Sequence, residues 1–342
     1  MSNPEYELYE TEPETALERY ISDRENEVQS ATLRSHKARL KKFIEWCGIE
    51  GIENMNDLNG RNLQDFRYWR KEDGDLNNVT LHTQMTTFRV FITWCEDFQA
   101  VTPGLHEKIR VPKLDPGEDV SNDKMEPEKA LKILDYLEKF QYASRDHAMF
   151  RLLFRTGVRT GGLRTLNVSD YHSEDQYIEV KHRPEKDTPL KNGSQGQRPI
   201  YLNSMTCQVL EDYIENNRIE AKDDYGQKPL LTTNHGRLSP NTIRQRLYKL
   251  SHPCFYTGKC PHDENPKTCD FKNNVDYASQ CPSSKSPHSV RKASITYWRQ
   301  RDTPAQQVGE RANVNQDIIE KHYDKRTDKG KMDQRKDFFD RE

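Results

Sequence analysis

Apolar residues in the first hundred positions recur at helical spacing, three and four apart. One stripe falls within 33–47, a second within 63–69 and a third within 88–95. The stripes consist of Leu33, Leu40, Phe43, Ile44 and Cys47; Leu63, Phe66 and Trp69; and Phe88, Val90, Phe91, Trp94 and Cys95. Asn77, Asn78 and Thr80 predict a loop and a cap before the last helix. We therefore expect a helical domain over 15–109, preceded by an acidic flexible tail at 1–14.

The pattern changes after a stretch that contains Pro112, Pro116 and Gly117, and residues 110–123 have the composition of an interdomain linker. Helical spacing returns over 128–140 and 145–156. Two short strands are predicted at 177–180 and 198–202, around a polar turn. Ser239 and Pro240 predict the start of a helix that reaches Leu250. The expected fold class is mainly α with a small β-sheet: a helical N-terminal domain, then a mixed α+β domain over 124–342.

Composition adds three constraints. A length of 342 residues suggests about two domains. With 33% hydrophobic and 32% charged residues the chain is polar, but 16 Tyr, 12 Phe and 4 Trp can fill small cores. The net charge of -2 gives no global attraction to nucleic acid, so a DNA-binding face would have to be a local basic patch.

Cysteine usage depends on the compartment. No apolar run reaches the roughly 18–20 residues of a membrane span, and the acidic start is no signal peptide, so we expect a cytoplasmic protein without membrane contact. Disulfides are disfavoured there. Four of the seven cysteines crowd into an insert at 252–282: Cys254, Cys260, Cys269 and Cys281. They predict a structural zinc site, of four sulfurs or of three with His262, and free thiols are the alternative.

Five residues occur in the order that DNA cleavage by a tyrosine would use. Arg159 follows Thr156-Gly157, Lys191 lies in the turn between the predicted strands, and His288 and Arg291 share a helix face, before the late Tyr323. In such a reaction a tyrosine oxygen attacks phosphorus while arginines neutralise the phosphate oxygens, and lysine or histidine protonates the leaving oxygen.

Each residue also has a simpler interpretation. Arg159 could be a surface arginine after a helix, and Lys191 a solvated lysine, with Lys186 as the second choice for its role. His288 and Arg291 could be a partly buried histidine beside a surface arginine, an interpretation that the other motif residues disfavour. Tyr323 is one of sixteen tyrosines, singled out by its place near the C-terminus. Tyr297 is expected to pack rather than react, because it falls six residues beyond Arg291 on the same predicted helix.

With these motifs the chain resembles the tyrosine recombinase (phage integrase) family over roughly residues 15–330, and more narrowly integrases of archaeal viruses and mobile elements. The resemblance implies a SAM-like core-binding domain and a catalytic domain that clamp DNA, with no cofactor needed for catalysis. Arg159 matches the arginine of T-G-x-R, Lys191 the hairpin lysine, His288 and Arg291 the H-x-x-R motif, and Tyr323 the nucleophile.

The chain departs from the family pattern at three places. Gly162 stands where a glutamate is usual, and the hairpin turn around Lys191 is expanded. The L-G-H motif is blurred to Val308-Gly309-Glu310-Arg311, which leaves the sixth catalytic position unassigned.

Basic residues predict the DNA-binding surface: Arg34, Lys37 and Lys41 on one helix, and Arg244 and Arg246 on another. A solvated helix face is the alternative. We expect a site-specific recombinase that acts as a homo-tetramer on paired sites of double-stranded DNA, through a 3′-phosphotyrosyl intermediate. The alternatives are an enzyme like type IB topoisomerase, and a zinc-containing DNA-binding protein without catalysis.

Overall fold

The computed structural model describes residues 7–115, 117–118 and 123–323, and of residues 26 and 321–323 only the backbone. The chain divides into two compact units, with the boundary between residues 121 and 122. This boundary falls within the expected linker. Residues 324–342, whose many charged residues lead us to expect a C-terminal tail after the catalytic domain, lie outside the described residues.

The first unit is helical, as its apolar stripes predict. Its helices are α1 (Pro13–Asp23), α2 (Ser30–Glu50), α3 (Gly60–Asp73) and α4 (Asn78–Asp97). Asn77 caps α4 by accepting a hydrogen bond from the backbone N–H of Thr80. Phe43 of α2, Phe66 of α3 and Phe88 of α4 meet in the core, with ring centroids 4.7 to 5.3 Å apart. Val90, predicted to be part of the α4 stripe, is exposed instead.

Both ends of this unit extend further than the sequence predicts. The expected flexible tail at 1–14 is wrong for its last residues, because α1 begins at Pro13 and the N–H of Tyr9 donates to the carbonyl oxygen of Gln99. At the other end, the carbonyl oxygen of Pro112 lies 2.7 Å from Nδ1 of His82 on α4. The start of the expected linker is therefore held against the bundle.

The second unit combines helices with a small sheet. Its helices are α5 (Pro127–Phe140), α6 (Arg145–Thr156), α7 (Thr160–Thr165), α8 (Ser204–Asp212), α9 (Pro240–Leu250), α10 (Pro253–Thr257), α11 (Asp270–Asn273), α12 (Pro287–Arg299), α13 (Ala305–Ala312) and α14 (Gln316–Tyr323). Its strands are β1 (Tyr171–His172), β2 (Tyr177–Val180), β3 (Arg198–Tyr201), β4 (Thr232–Thr233) and β5 (Gly236–Arg237).

The larger sheet is antiparallel in the order β1-β2-β3, with Ile178 paired with Ile200, and β4 and β5 form a separate two-stranded antiparallel sheet. Ile178, Val180 and Ile200 turn toward the core. α6 runs through the centre of the unit with nearly every residue buried, and it packs against α5, α8 and α12. The fold is thus mainly helical with a small sheet, as predicted. No described helix is long and apolar enough to cross a membrane.

Candidate active site

Arg159 is placed by the end of the central helix. α6 stops at Gly157, which adopts a left-handed conformation with φ +65° and donates its N–H to the carbonyl oxygen of Leu153. The chain then turns, and Arg159 becomes the residue that precedes α7. Its side chain is half-buried, and this burial lowers the pKa of Arg159 from its ordinary value.

Arg291 comes from α12, where Ser286 accepts a hydrogen bond from the N–H of Ser289 and Pro287 occupies the first turn. The Arg291 side chain is buried. Its Nη1 donates to the carbonyl oxygens of Gly157 and Ala312, both at 2.5 Å. These bonds fix the guanidinium between the end of α6 and the end of α13.

The two predicted arginines meet at one backbone oxygen. Nη1 of Arg159 donates to the carbonyl oxygen of Asn313 at 2.7 Å, and Nη2 of Arg291 donates to the same oxygen at 3.3 Å. Two guanidiniums held side by side form a site suited to an anion, because their planar donor groups match the oxygens of a phosphate.

His288 lies within this positive cluster. Its side chain keeps an exposed surface, yet partial desolvation lowers the pKa of His288, and nearby positive charges lower it further. Those charges belong to Lys292, Arg291, Arg159 and Lys191, in descending order of effect. The imidazole is therefore held neutral near pH 7, as a proton acceptor requires.

Asp123 anchors the start of α12. Its carboxylate accepts from the Ser289 hydroxyl at 2.5 Å and from the Lys285 ammonium at 2.9 Å. Burial acts to raise the pKa of Asp123, but the hydrogen bonds from Ser289, Lys285 and Ser286 outweigh it, so the pKa lies below its ordinary value. The anchor fixes the helix turn that carries His288.

Lys191 and Lys186, the two candidates for the hairpin lysine, interact with different residues. The connection between β2 and β3 contains two short 3₁₀ turns, Pro184–Lys186 and Gly193–Gly196. The Lys186 ammonium lies 5.9 Å from the ring centroid of Tyr225. The charge of Lys191 instead acts on His288. This difference favours Lys191 over Lys186 as the lysine of the candidate site.

Tyr323 is the last residue of α14, and its side chain lies outside the described residues. α14 packs on α12 and α13 through buried Ile319. Tyr297, the competing tyrosine, is buried, and its ring centroid lies 5.2 Å from that of Phe154. Its hydroxyl accepts a hydrogen bond from Arg155 at 2.9 Å, so Tyr297 is a packing residue.

The glycine at position 162 has a steric cause. A Cβ atom there would stand 2.6 Å from Cγ2 of Val158 and 3.4 Å from Cγ1 of Val180. Because both neighbours belong to the core, there is no room for the usual glutamate side chain.

The carbonyl oxygen of Asn313, which accepts a hydrogen bond from Arg159, is a group that the sequence did not identify.

The predicted DNA-binding residues differ in their surroundings. Arg34, Lys37 and Lys41 are exposed along one side of α2. On α9, Arg244 is exposed, whereas Arg246 forms an ion pair with the buried carboxylate of Asp146. The structure thus gives Arg246 a partner inside its own unit.

The cysteine-rich insert is attached to the helices around it. Gln245 of α9 donates to Asp276 in the insert, and Lys129 of α5 donates to the carbonyl oxygen of Ser283, directly after it. Within the insert, Nε2 of His252 lies 2.9 Å from the carbonyl oxygen of Ala278. Burial raises the pKa of Cys254; Lys272 lowers it, and the charges of Cys260, Cys281 and Cys269 raise it. Among the described residues, no three His, Cys, Asp or Glu side chains are placed to hold a metal ion.

Sequence reasoning missed four groups that organise the site: the backbone carbonyl oxygens of Gly157, Ala312 and Asn313, and the side-chain carboxylate of Asp123. A residue-type search cannot find a carbonyl, since every residue has one. The available signal was local, because an asparagine after a short amphipathic helix predicts a left-handed cap at Asn313.

Comparison with known proteins agrees with this geometry. The model of the Phage integrase family matches residues 123–253, and that of the Phage integrase SAM-like domain matches residues 15–95. The first match ends as the cysteine-rich insert begins. Tyrosine recombinase XerD of Oceanobacillus iheyensis is 24% identical over 240 residues, which are 68% of this chain and 71% of the relative.

Two solved structures share the fold. The Tn1549 transposon integrase in complex with transposon right end DNA has a TM-score of 0.66 at 14% identity, covering 96% of this chain and 100% of that one. A lambda integrase tetramer bound to a Holliday junction has a TM-score of 0.63 at 14% identity, covering 95% and 80%. With both domain models matched in order and the arginines and histidine of the motif brought together, the chain belongs to the phage integrase family of tyrosine recombinases.

Proposed function

We propose that this protein is a site-specific DNA recombinase that cuts and rejoins double-stranded DNA through a 3′-phosphotyrosyl intermediate. The observation that carries the proposal is the shared contact of Arg159 and Arg291 with the Asn313 carbonyl oxygen. It creates a fixed pair of cations with a neutral imidazole nearby. Such a pair stabilises the charge that builds on phosphate oxygens as the phosphorus is attacked.

The reaction conserves the energy of the phosphodiester. The Tyr323 oxygen forms a bond to phosphorus, and the bond from phosphorus to the 5′-oxygen breaks. Lys191 gives a proton to the departing oxygen, while His288, neutral because its pKa is lowered, takes the tyrosine proton. Rejoining reverses these steps with a 5′-hydroxyl from another strand, so no nucleotide cofactor is consumed.

Recombination exchanges strands between two DNA sites, each of which must be cut on both strands. Four tyrosines are therefore needed, and we propose a homo-tetramer on paired sites. The tetrameric assembly of lambda integrase on a Holliday junction supports this proposal. The exposed Arg34, Lys37 and Lys41 on α2 and Arg244 on α9 would contact the phosphate backbone.

The test uses nicked duplex DNA from the gene's own locus, so that cleavage releases a short strand and traps the covalent adduct. Wild type should give an adduct on a denaturing gel, and Tyr323→Phe should bind the same DNA without one. Joined sites would identify a recombinase, whereas relaxed plasmid without joined sites would support the topoisomerase alternative. DNA binding without any adduct from wild type would support the non-catalytic alternative.

We also propose that Cys254, Cys260, Cys269 and Cys281 bind a structural zinc ion. The charges of Cys260 and Cys269 act to raise the pKa of both Cys254 and Cys281, which supports a grouping of these thiols within the insert. The insert that holds them contains only short elements, α10, α11 and a 3₁₀ turn at Val275–Gln280, so a metal would supply the stability that so small a core lacks. The ion would brace the segment before α12 and take no part in catalysis.

Metal analysis of protein purified without chelator tests this proposal. One zinc ion per chain should be found in wild type and lost in Cys260→Ser, which removes a ligand from a partly exposed position. Cys207→Ser is the matched control, because this cysteine lies outside the insert. Zinc-free wild type with full thermal stability would exclude the site.

A further inference from the structure

The short segment between α13 and α14 reverses the chain beside the active site. Asn313 follows α13 in a left-handed conformation with φ +53°, which asparagine tolerates better than most residues with a side chain. The N–H of Val314 then donates to the carbonyl oxygen of Gly309 at 3.0 Å. A Cβ atom at Gly309 would stand 2.8 Å from the carbonyl oxygen of Val314, so glycine is needed for this close reversal.

The reversal presents backbone oxygens to the two arginines. The carbonyl oxygen of Ala312 accepts from Arg291, and that of Asn313 accepts from both Arg291 and Arg159. A guanidinium on a long side chain has several accessible rotamers. A shared acceptor restricts both side chains at once, and the left-handed turn determines where that acceptor lies.

The side chain of Asn313 makes a second connection. Its Oδ1 accepts from Nδ2 of Asn192 at 3.3 Å. Asn192 is the residue directly after Lys191 in the connection between β2 and β3. A Cβ atom at Gly196 would stand 3.1 Å from Nδ2 of Asn313, so the glycine leaves room for the amide. One residue thus touches both arginines and the turn that carries the lysine.

The neighbours of Asn313 are engaged elsewhere. Glu310 accepts from Nε2 of Gln306 at 2.9 Å. Arg311 donates from Nε and Nη2 to the carbonyl oxygen of Arg155, and its guanidinium lies 5.6 Å from the ring centroid of Trp298. These bonds tie both side chains to other parts of the unit.

We infer that Asn313 is a positioning residue with two separate roles: its carbonyl oxygen orients Arg159 and Arg291, and its amide holds the Lys191 turn through Asn192. The inference rests on the proposed function and extends it to a residue that the family motifs leave unassigned. It predicts that the two roles can be separated by substitution.

Three variants separate them. Asn313→Gly retains the left-handed backbone and the carbonyl, and removes only the amide. Asn192→Ala removes the same hydrogen bond from the other side. Asn313→Ala places a residue that disfavours positive φ at the turn, and so disturbs the carbonyl as well. Gln307→Ala, exposed on α13, is the matched control.

The readout compares nicked DNA carrying an ordinary 5′-oxygen with DNA carrying sulfur at that bridging position. A thiolate leaves without a proton, so the sulfur substrate removes the need for the lysine. Asn313→Gly and Asn192→Ala should each slow adduct formation by about 10-fold on the oxygen substrate, and the double variant should be no slower than either single one. On the sulfur substrate the rate of each variant should return to that of wild type. Asn313→Ala should slow adduct formation by about 100-fold on both substrates, because it disturbs the carbonyl oxygen that orients the arginines.

The outcomes distinguish the inference from the proposed function. If wild type forms the Tyr323-dependent adduct while Asn313→Gly and Asn192→Ala cleave both substrates at the wild-type rate, or equally slowly, the inference is wrong and the function stands. If wild type binds DNA and forms no adduct on either substrate, the proposed function is wrong, and so is the inference that rests on it. Thermal unfolding of each variant reports whether the unit remains folded.

Discussion

Arg291 donates from Nη1 to the carbonyl oxygen of Gly157 at 2.5 Å, and this bond joins α12 to the end of the central helix α6. The carbonyl is available because Gly157 ends α6 in a left-handed conformation. The same turn leads into Arg159 two residues later. A single glycine therefore sets the relation between the two arginines proposed to bind the scissile phosphate.

Gly157→Ala should impair both stability and cleavage. An added Cβ would stand 3.1 Å from Oγ of Ser294 and 3.3 Å from Cβ of Ala312, and φ is +65°. Strain of this kind costs about 1–3 kcal/mol of unfolding free energy. Chemical denaturation measures this loss, and the adduct assay measures cleavage. Gly161→Ala is the control, since its Cβ would meet only an ordinary contact with Pro189. Equal behaviour of the two variants would refute the role of the turn.

The rate of cleavage should fall in acid only below the ordinary pKa of histidine, about 6.5. Desolvation and nearby cations lower the pKa of His288, so its neutral form persists as pH falls and is lost only when pH passes the lowered value. Lys292→Gln removes the cation with the largest effect, which should raise this pKa and move the acid limb to higher pH.

Adduct formation measured from about pH 5 to pH 8 checks this shift. Lys132→Gln on the exposed side of α5 serves as the control and should leave the profile in place. An acid limb that stays unchanged in Lys292→Gln would mean that His288 does not govern the profile.

Lys191→Ala should slow cleavage by about 100-fold, a typical size for loss of a general acid, and Lys186→Ala should have little effect. The reason is positional: the Lys186 ammonium faces Tyr225, whereas Lys191 acts on His288. The DNA with bridging sulfur should restore the rate of Lys191→Ala, because its leaving group needs no proton. The reverse pattern, with Lys186→Ala rescued, would exchange the assignments.

Arg244→Ala and Arg246→Ala should have different effects although they lie on one helix. Loss of exposed Arg244 should weaken DNA binding. It should also reduce the slope of log K against log salt concentration by about the amount that one phosphate contact contributes. Loss of Arg246 should cost on the order of 1–3 kcal/mol of stability, since Asp146 is buried and loses its donor. Asp146→Asn should reproduce the stability loss. Salt titrations of DNA binding and chemical denaturation curves separate these effects. If Arg246→Ala is as stable as wild type but binds DNA more weakly, Arg246 contacts DNA as the sequence predicts.

The sequence by itself determined the helical first unit, the small sheet and the positions of most helices. The reason is that periodic apolar spacing and capping residues are local signals. Asn77 before α4, Ser286-Pro287 before α12 and the alternating burial of the 177–180 strand each depend on only a few neighbouring residues. It also identified the candidate residues through fixed motif spacings. The prediction for the N-terminal segment was wrong for its last residues, because the hydrogen bond from Tyr9 to Gln99 joins residues ninety positions apart, and no local pattern reports it.

Only the tertiary structure decided how the candidates are held. Arg159, Arg291 and Asn313 come from three distant segments, and their meeting depends on how α6, α12 and α13 pack. Arg246 likewise pairs with the buried carboxylate of Asp146, which lies a hundred positions away in the sequence. Val158 and Val180 leave no room for a side chain at Gly162. Such relations depend on distances across the core and on backbone oxygens that every residue possesses. No local pattern of residue types encodes them, so they became visible only once the chain was folded.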